Sequence, residues 1–251
     1  MKKTALVSDI HSNLEAFNAV LEDIEAQRCE EIVCLGDLIG YGPNPRQVLR
    51  VAVQRFRFCL KGNHEEAVIK TPEGFNWKAA ASSIWTKRQI ISPVYPARES
   101  QQMWSYVNGL TEFQEEGDVL YVHASPNDPV WEYVMPEYAG NRGLMQTIFK
   151  RVKRVSFGGH THLPGIFLPE GKFIPQARLN GPYPVTRGKF FVNTGSVGQP
   201  RDQNPLACYV IFDGETVQFR RIRYDFRTTA RKIAKIRDLP IALGTRLALG
   251  V

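Results

Sequence analysis

The sequence predicts an α/β fold that opens as a doubly wound sheet. In the first quarter of the chain, segments typical of buried strands alternate with helical segments. Polar residues follow the carboxyl end of each strand, which is where such folds place ligands. With 251 residues, of which 43% are hydrophobic and 23% charged, the chain is long enough to bury a sizeable core. This composition excludes disordered and collagen-like proteins.

The first predicted strands and helices indicate this fold class. Residues 3–8 are expected to form a buried strand. A helix over 13–27 follows, because apolar residues recur there at helical spacing on one face. Strands are then expected over 31–35 and 56–60, with the Gly/Pro-rich loop 40–45 and a short helix between them. This order of strand, helix, strand, helix and strand favours parallel pairing.

The rest of the chain turns from helices to strands. Helices are expected over 76–91, 99–108 and 137–150. Strands are expected over 119–123, 154–157, 165–169, 172–174, 189–192, 206–212 and 215–222. No repeat or linker divides the chain, so we expect one domain over 1–224 and a basic helical tail over 225–251 that packs on the domain or extends from it.

The net charge of +7 comes mainly from one segment. Residues 220–238 contain eight basic and two acidic residues, and the remaining chain is close to neutral. A basic helix of this kind is more often a solvated face than a nucleic-acid contact. We therefore do not expect a nucleic-acid partner, although a nuclease that holds a phosphate backbone with this tail stays an alternative.

Cysteine use and hydrophobicity indicate a cytoplasmic protein without a membrane span. The four cysteines form no C-x-x-C pair or tight cluster, which argues against a disulfide framework and a zinc knuckle. The apolar stretch near the N-terminus is too short for a signal peptide. No run of about 18 apolar residues is present. The sequence does not indicate an oligomeric state.

All five histidines lie in polar clusters that follow predicted strands. In extended backbone, residues two apart point to the same side, so each D-x-H or H-x-H pair is expected to converge on one spot. Glycines before three of the clusters are expected to allow sharp turns and close approach. The clusters are Asp9-Ile10-His11, Gly36-Asp37, Gly62-Asn63-His64-Glu65, His123 and Gly159-His160-Thr161-His162.

These side chains offer oxygen and imidazole nitrogen without thiolate. That set suits Mn²⁺, Fe, Zn²⁺, Co²⁺ or Ni²⁺ rather than Ca²⁺. Seven ligands are too many for one ion, whereas two divalent ions about 3.5–4 Å apart that share a carboxylate would use them well. The candidate ligands are Asp9, His11, Asp37, Asn63, His123, His160 and His162.

The ordered motifs D-x-H, G-D, G-N-H-E, H and G-H-x-H resemble those of the calcineurin-like metallophosphoesterase superfamily. The small YfcE-like prokaryotic phosphoesterases are more similar still, through G-D-L-I-G-Y-G-P-N-P at 36–45, H-A-S-P at 123–126 and N-T-G-S-V-G-Q-P-R at 193–201. The resemblance implies a four-layer αββα sandwich. It also implies a dinuclear-metal-dependent hydrolase of a small phosphate ester.

The resemblance also implies a role for each ligand. One metal ion would be held by Asp9, His11, Asp37 and His162. The other would be held by Asp37, Asn63, His123 and His160, with Asp37 as the bridge. A hydroxide that bridges the ions would attack phosphorus, and His64 would contact the phosphate and protonate the leaving oxygen.

The chain departs from the related Ser/Thr phosphatases at two positions. Gly40 and Tyr41 stand where those enzymes have an aspartate beside the acid histidine and an arginine that clamps a phosphate. Without that arginine a phosphodiester is favoured; a phosphomonoesterase or nucleotidase, a nuclease and a non-catalytic scaffold stay alternatives. Tyr41, Lys61 and Arg201 are candidate substrate contacts. The four tryptophans, including Trp131, are expected to be core or cap residues rather than platforms for a base.

Overall fold

The computed structural model describes residues 2–251 and contains two six-stranded sheets. The strands are β1 (Thr4–Val7), β2 (Glu31–Cys34), β3 (Phe58–Cys59), β4 (Phe113–Glu116), β5 (Val119–Val122), β6 (Val155–Gly158), β7 (Gly165–Leu168), β8 (Lys172–Pro175), β9 (Tyr183–Pro184), β10 (Phe190–Asn193), β11 (Ala207–Phe212) and β12 (Thr216–Ile222). The α-helices are α1 (Leu14–Ala26), α2 (Pro45–Arg55), α3 (Asn63–Ile69), α4 (Trp77–Ile90), α5 (Ala97–Asn108), α6 (Arg142–Lys150), α7 (Phe226–Ala234) and α8 (Ala242–Thr245).

Each sheet has a parallel centre with antiparallel neighbours. The first sheet has the order β3-β2-β1-β11-β12-β9, in which β1, β2 and β3 are parallel. The second has the order β4-β5-β6-β10-β7-β8, in which β5, β6 and β10 are parallel. The carboxyl ends of these parallel strands carry the loops in which the predicted ligands lie.

Side-chain alternation along the strands produces four layers. On β1, Ala5 and Val7 pack in the cluster formed with α1, α2 and α5, whereas Leu6 packs in the cluster between the sheets. On the far side, Phe167 and Phe191 of the second sheet pack against α6. The order is therefore helices, sheet, sheet and helix, which confirms the predicted αββα fold.

Most predicted elements are present, with one division and three additions. The helix expected over 137–150 is divided into a 3₁₀ turn, Pro136–Gly140, and α6. Asn141 causes the division: its backbone is extended and its side chain accepts the N–H of Leu144 as a helix cap. The patterns did not indicate α3, β4 or β9. Strand β4 reads F-Q-E-E and lies at a sheet edge, so it lacks an apolar face.

The C-terminal segment, residues 225–251, packs on the rest of the protein. Its buried Ile233, Leu243 and Leu247 join one apolar cluster with Tyr41 and Trp85. Lys232 forms an ion pair with Glu15. The segment therefore covers the loop that precedes α2, while the boundary at residue 224 stays a prediction. None of the helices within residues 2–251 combines the length and apolar character that a membrane crossing requires.

Candidate metal centre

The parallel strands of both sheets bring the predicted ligands to one edge. Asp9 and Asp37 follow β1 and β2, and Asn63 opens α3 just after β3. In the second sheet His123 follows β5 directly, and His160 lies two residues beyond β6. The eight predicted metal and acid residues are each at most 5% exposed: Asp9, His11, Asp37, Asn63, His64, His123, His160 and His162.

The first group of ligands surrounds His11 and His162. His162 Nε2 lies 3.0 Å from Asp9 Oδ1 and 3.2 Å from His11 Nε2. His11 Nε2 also lies 3.7 Å from Asp37 Oδ2. These four residues are the set expected for one metal ion.

The second group surrounds His123. Its Nε2 lies 3.2 Å from Asn63 Oδ1, 3.1 Å from His160 Nδ1 and 3.5 Å from Asp37 Oδ2. Asp37 Oδ2 therefore faces both groups, while Asp37 Oδ1 accepts the backbone N–H of His64 at 2.9 Å. A carboxylate in this position can bridge two cations.

The hydrogen bonds around the two groups leave lone pairs that face one another. His11 Nδ1 donates to the carbonyl of Ile39 and His123 Nδ1 to that of Leu35, at 3.2 and 3.1 Å. A carbonyl only accepts, so each Nε2 carries a lone pair directed into the site. His162 is fixed in the same way by the carbonyl of Gln199. The lone pairs of these nitrogens repel one another, and a divalent cation between them would be coordinated by them instead. The donor set thus suits divalent cations.

Burial keeps the imidazoles ready for coordination. It lowers the pKa of all five histidines, to about 4 for His162. Metal ions bind the neutral imidazole, so these side chains need not lose a proton at neutral pH. Burial, with the neighbouring Glu65 and Asp9, raises the pKa of Asp37 in the metal-free site, and cations would oppose that effect.

Left-handed backbone, rather than extended backbone, makes the ligands converge. The φ angles are +54° at Asp9, +49° at His11, +63° at His160 and +61° at His162. Asp9 and His11 converge as predicted, with 3.7 Å between Asp9 Oδ1 and His11 Nε2, whereas His160 and His162 belong to different ligand groups. The predicted cause, extended backbone, is wrong, because the strands end before these residues. Non-glycine residues rarely adopt this conformation, and its concentration at the ligands is typical of functional sites.

The glycines of the motifs permit close approach. A Cβ on Gly62 would lie 2.1 Å from Asp37 Oδ1, and one on Gly159 would lie 2.3 Å from Asp9 Oδ2. A Cβ on Gly40, where φ is +86°, would lie 2.2 Å from His64 Nδ1. That nitrogen is buried, and residues 2–251 offer it no hydrogen-bond partner. Gly40 therefore stands beside the imidazole that an aspartate contacts in the related phosphatases, as the sequence predicts.

Glu65 is a buried carboxylate that ties two ligand loops together. Its Oε2 accepts the N–H groups of Asp37 and Gly62 at 2.8 Å each, and its Oε1 accepts that of Ile39 at 3.2 Å. Glu65 lies in the first turn of α3. Its carboxylate orients the backbone of the two ligand loops rather than an imidazole.

We expect Glu65→Gln to lower both stability and metal affinity. The amide nitrogen would face a backbone N–H that now has a carboxylate partner, so the free energy of unfolding should fall by about 1–3 kcal/mol. Urea denaturation and metal titration measure the two effects. Glu66→Gln is the matched control, because Glu66 forms only a surface pair with Lys70. Equal effects of the two substitutions would contradict the role of Glu65.

The three candidate substrate contacts lie in different surroundings. The Tyr41 ring lies 4.7 Å from that of His11 and 4.3 Å from that of His64. The backbone N–H of Arg201 bonds to the carbonyl of His162, and its side chain donates to Gln199. Lys61 instead points towards Glu112, with 4.0 Å between Nζ and the carboxylate. Tyr41 and Arg201 therefore adjoin the metal centre, and no ion pair or hydrogen bond links the Lys61 side chain to it within residues 2–251.

Three aromatic residues near the centre were not identified as site residues from the sequence. The ring of Tyr133 lies 3.9 Å from that of His160, and the ring of Phe75 lies 4.8 Å from that of His64. Trp131 contacts Phe75 edge-on at 5.9 Å and is 37% exposed, so it is not a core residue. These residues come from loops, and no local pattern connects them with the ligands.

A four-layer fold with two adjoining His/Asp groups at its parallel strand ends defines the metallophosphoesterase class. Residues 2–216 match the calcineurin-like phosphoesterase superfamily domain. The chain belongs to this superfamily, whose members hydrolyse phosphate esters, and the resemblance indicated by the motifs is confirmed.

Three similar proteins illustrate the relationship. An uncharacterized protein of Methanocaldococcus jannaschii, MJ0912, is 35% identical, with 98% of this chain and 97% of the relative aligned. A metallophosphoesterase from Sphaerobacter thermophilus is 34% identical with a TM-score of 0.82, covering 100% of this chain and 99% of its own. The E. coli phosphoesterase YfcE is 19% identical with a TM-score of 0.46, over 86% of this chain and 90% of YfcE.

Proposed function

We propose that this protein is a dinuclear-metal-dependent phosphodiesterase that acts on a small phosphate ester. The observation that carries the proposal is the shared carboxylate: Asp37 Oδ2 lies within 3.7 Å of His11 Nε2 and 3.5 Å of His123 Nε2. Two divalent ions, when bound, supply an activated water and neutralise charge on the phosphoryl group. Mn²⁺ is the first ion to test, with Fe, Zn²⁺, Co²⁺ and Ni²⁺ as alternatives.

The residues around the centre support positioning and proton transfer. Buried Asp9 and Asp37 bring two negative charges, which two divalent ions exceed, so the loaded site attracts an anionic phosphoryl group. Arg201 adds a positive charge beside the His162 loop. His64 donates a proton to the leaving oxygen. Burial lowers the pKa of His64 in the free protein, and a phosphoryl anion beside the ring raises it again.

The surroundings of His64 favour a diester over a monoester. The Tyr41 ring fills the space beside the imidazole where the related phosphatases have an arginine for a phosphate dianion. A diester carries one negative charge and needs less cationic neutralisation than a dianionic monoester. We therefore place phosphomonoesters second.

Two further assignments belong to the same proposal, a cytoplasmic location and a small-molecule substrate. The four cysteines of the chain are free, which agrees with a reducing cytoplasm. Three basic side chains of the 220–238 segment pair with acidic partners, Arg220 with Asp23, Arg221 with Asp202 and Lys232 with Glu15. That pairing supports a small-molecule substrate rather than a nucleic acid.

Metal removal and restoration test the proposal. We expect the protein to hydrolyse bis-p-nitrophenyl phosphate faster than p-nitrophenyl phosphate and to lose this activity on chelation. Two equivalents of Mn²⁺, or of one of the alternative ions named above, should restore it. Metal analysis and p-nitrophenolate release are measured on the same samples. Failure of the fully metallated protein to hydrolyse either ester would favour the scaffold alternative, and a monoester preference would reverse the order of substrates.

A further inference from the structure

Two loop aromatic residues are held in exposed positions by buried neighbours. Trp131 is 37% exposed and Tyr133 is 48% exposed, whereas Val130 and Val134 on either side are 3% and 2% exposed. The residue between them, Glu132, turns its carboxylate towards Ser125 and Asn127. The alternation directs the two rings away from the core that Val134 enters.

The loop that carries these rings is fixed to the metal centre. The carbonyl of Pro129 accepts the N–H of His123 at 3.1 Å and that of Ala124 at 2.7 Å. Asp128 Oδ1 accepts the N–H groups of Val130 and Trp131 at 3.1 Å each. The exposure of the rings is therefore a property of an ordered loop that is bonded directly to a predicted ligand.

Three aromatic rings adjoin the centre: two lie against its histidines, and the third contacts one of these two rings. Tyr133 lies against His160, with 3.9 Å between ring centroids. Phe75 lies against His64 at 4.8 Å, and Trp131 contacts Phe75 edge-on at 5.9 Å. An aromatic surface thus adjoins a centre suited to an anion.

We propose that Phe75, Trp131 and Tyr133 form a subsite for a planar group esterified to the phosphate, which makes the substrates nucleoside phosphate esters. This inference rests on the proposed phosphoesterase function. Exposed aromatic rings bind bases by stacking, and stacking is insensitive to the identity of the base because every base has a π-face. The metal centre and Arg201 take the phosphoryl group, while the aromatic subsite takes the base.

Two diesters with the same leaving group test the subsite. Methyl p-nitrophenyl phosphate and thymidine 5′-(p-nitrophenyl) phosphate both release p-nitrophenolate from a singly charged ester, so only the second group differs. We expect kcat/KM to be about 5- to 150-fold higher for the thymidine ester, the range that base stacking on one aromatic ring supports. In Trp131→Ala and Tyr133→Ala this ratio should fall towards one.

Binding without turnover gives a second measurement. Isothermal titration calorimetry on the metal-free protein should show tighter binding of adenosine 5′-monophosphate than of ribose 5-phosphate, and the two variants should reduce that difference. Tyr138→Ala is the matched control, because Tyr138 is 44% exposed on the adjoining 3₁₀ turn. Tyr138→Ala should leave unchanged both the kcat/KM ratio of the two esters and the difference in affinity between adenosine 5′-monophosphate and ribose 5-phosphate.

The outcomes separate the subsite from the proposed function. If both esters are hydrolysed equally, or if the two variants leave the ratio unchanged, the subsite is wrong and the phosphodiesterase function stands. If neither ester is hydrolysed by the metallated protein, the proposed function fails, and the calorimetric comparison still decides the subsite. Equal binding of the nucleotide and ribose 5-phosphate would also overturn it.

Discussion

Asp37→Asn should remove most of the metal-dependent activity and one or both metal ions. Asp37 Oδ2 faces both His11 Nε2 and His123 Nε2, at 3.7 and 3.5 Å. In asparagine, either an NH₂ group or a neutral oxygen takes this position. The negative charge that faces both sets of metal ligands is therefore lost. Removing an outer-shell partner typically costs about 10- to 100-fold in metal affinity, so loss of a bridging ligand should cost at least about 100-fold.

The substitution is informative because it keeps the shape of the side chain. Asp37 Oδ1 accepts the N–H of His64 at 2.9 Å, and the amide oxygen of asparagine can retain that bond. Metal content by mass spectrometry and kcat/KM for bis-p-nitrophenyl phosphate should fall together, while the circular dichroism spectrum stays native. Asp118→Asn is the control, because Asp118 pairs with Arg154 at an exposed position. Two bound ions and full turnover in Asp37→Asn would exclude the bridge.

The ligands themselves could be predicted from the sequence because their position is a local property. Each follows a strand, and parallel strands bring their carboxyl ends to one edge whatever the rest of the fold does. The mode of convergence could not be predicted in the same way. Left-handed backbone at Asp9 and His162 depends on hydrogen bonds from distant segments, such as that from Ser196 Oγ to the carbonyl of Asp9.

The residues that surround the centre could not be predicted, because they reach it through contacts between segments that are distant along the chain. Tyr133 reaches His160 through a loop whose path is set by Pro129 and His123, and sequence spacing gives no measure of that path. For the C-terminal segment a signal was present. Leu239, Leu243 and Leu247 recur every four residues, a spacing typical of a buried helical face, and they pack in the cluster that contains Tyr41. The basic residues indicate the solvated side of the segment, and the leucines determine where the segment packs.

His64→Ala should lower kcat by about 10²- to 10⁴-fold, the usual contribution of a general acid, while two metal ions stay bound. The His64 ring lies 4.8 Å from that of His11, and a ring nitrogen of His64 lies within 4.8 Å of a carboxylate oxygen of Asp37. The backbone N–H of His64 also donates to Asp37 Oδ1. His64 Nδ1 lies beside Gly40, and in the described part of the chain no carboxylate bonds to it. Contacts with Tyr41 and Phe75 therefore hold the ring, in the role that an aspartate has in the related phosphatases.

The leaving group distinguishes proton donation from simple phosphate binding. A p-nitrophenolate leaves readily without a proton, whereas the more basic phenolate needs one, so an acid matters more for methyl phenyl phosphate than for methyl p-nitrophenyl phosphate. We expect His64→Ala to reduce kcat for the phenyl ester at least about tenfold more than for the nitrophenyl ester. An equal loss for both esters would assign His64 to phosphate binding, and unchanged kcat would remove it from the reaction. Because all five histidines of the chain lie at this centre, none is left elsewhere to take over the proton transfer.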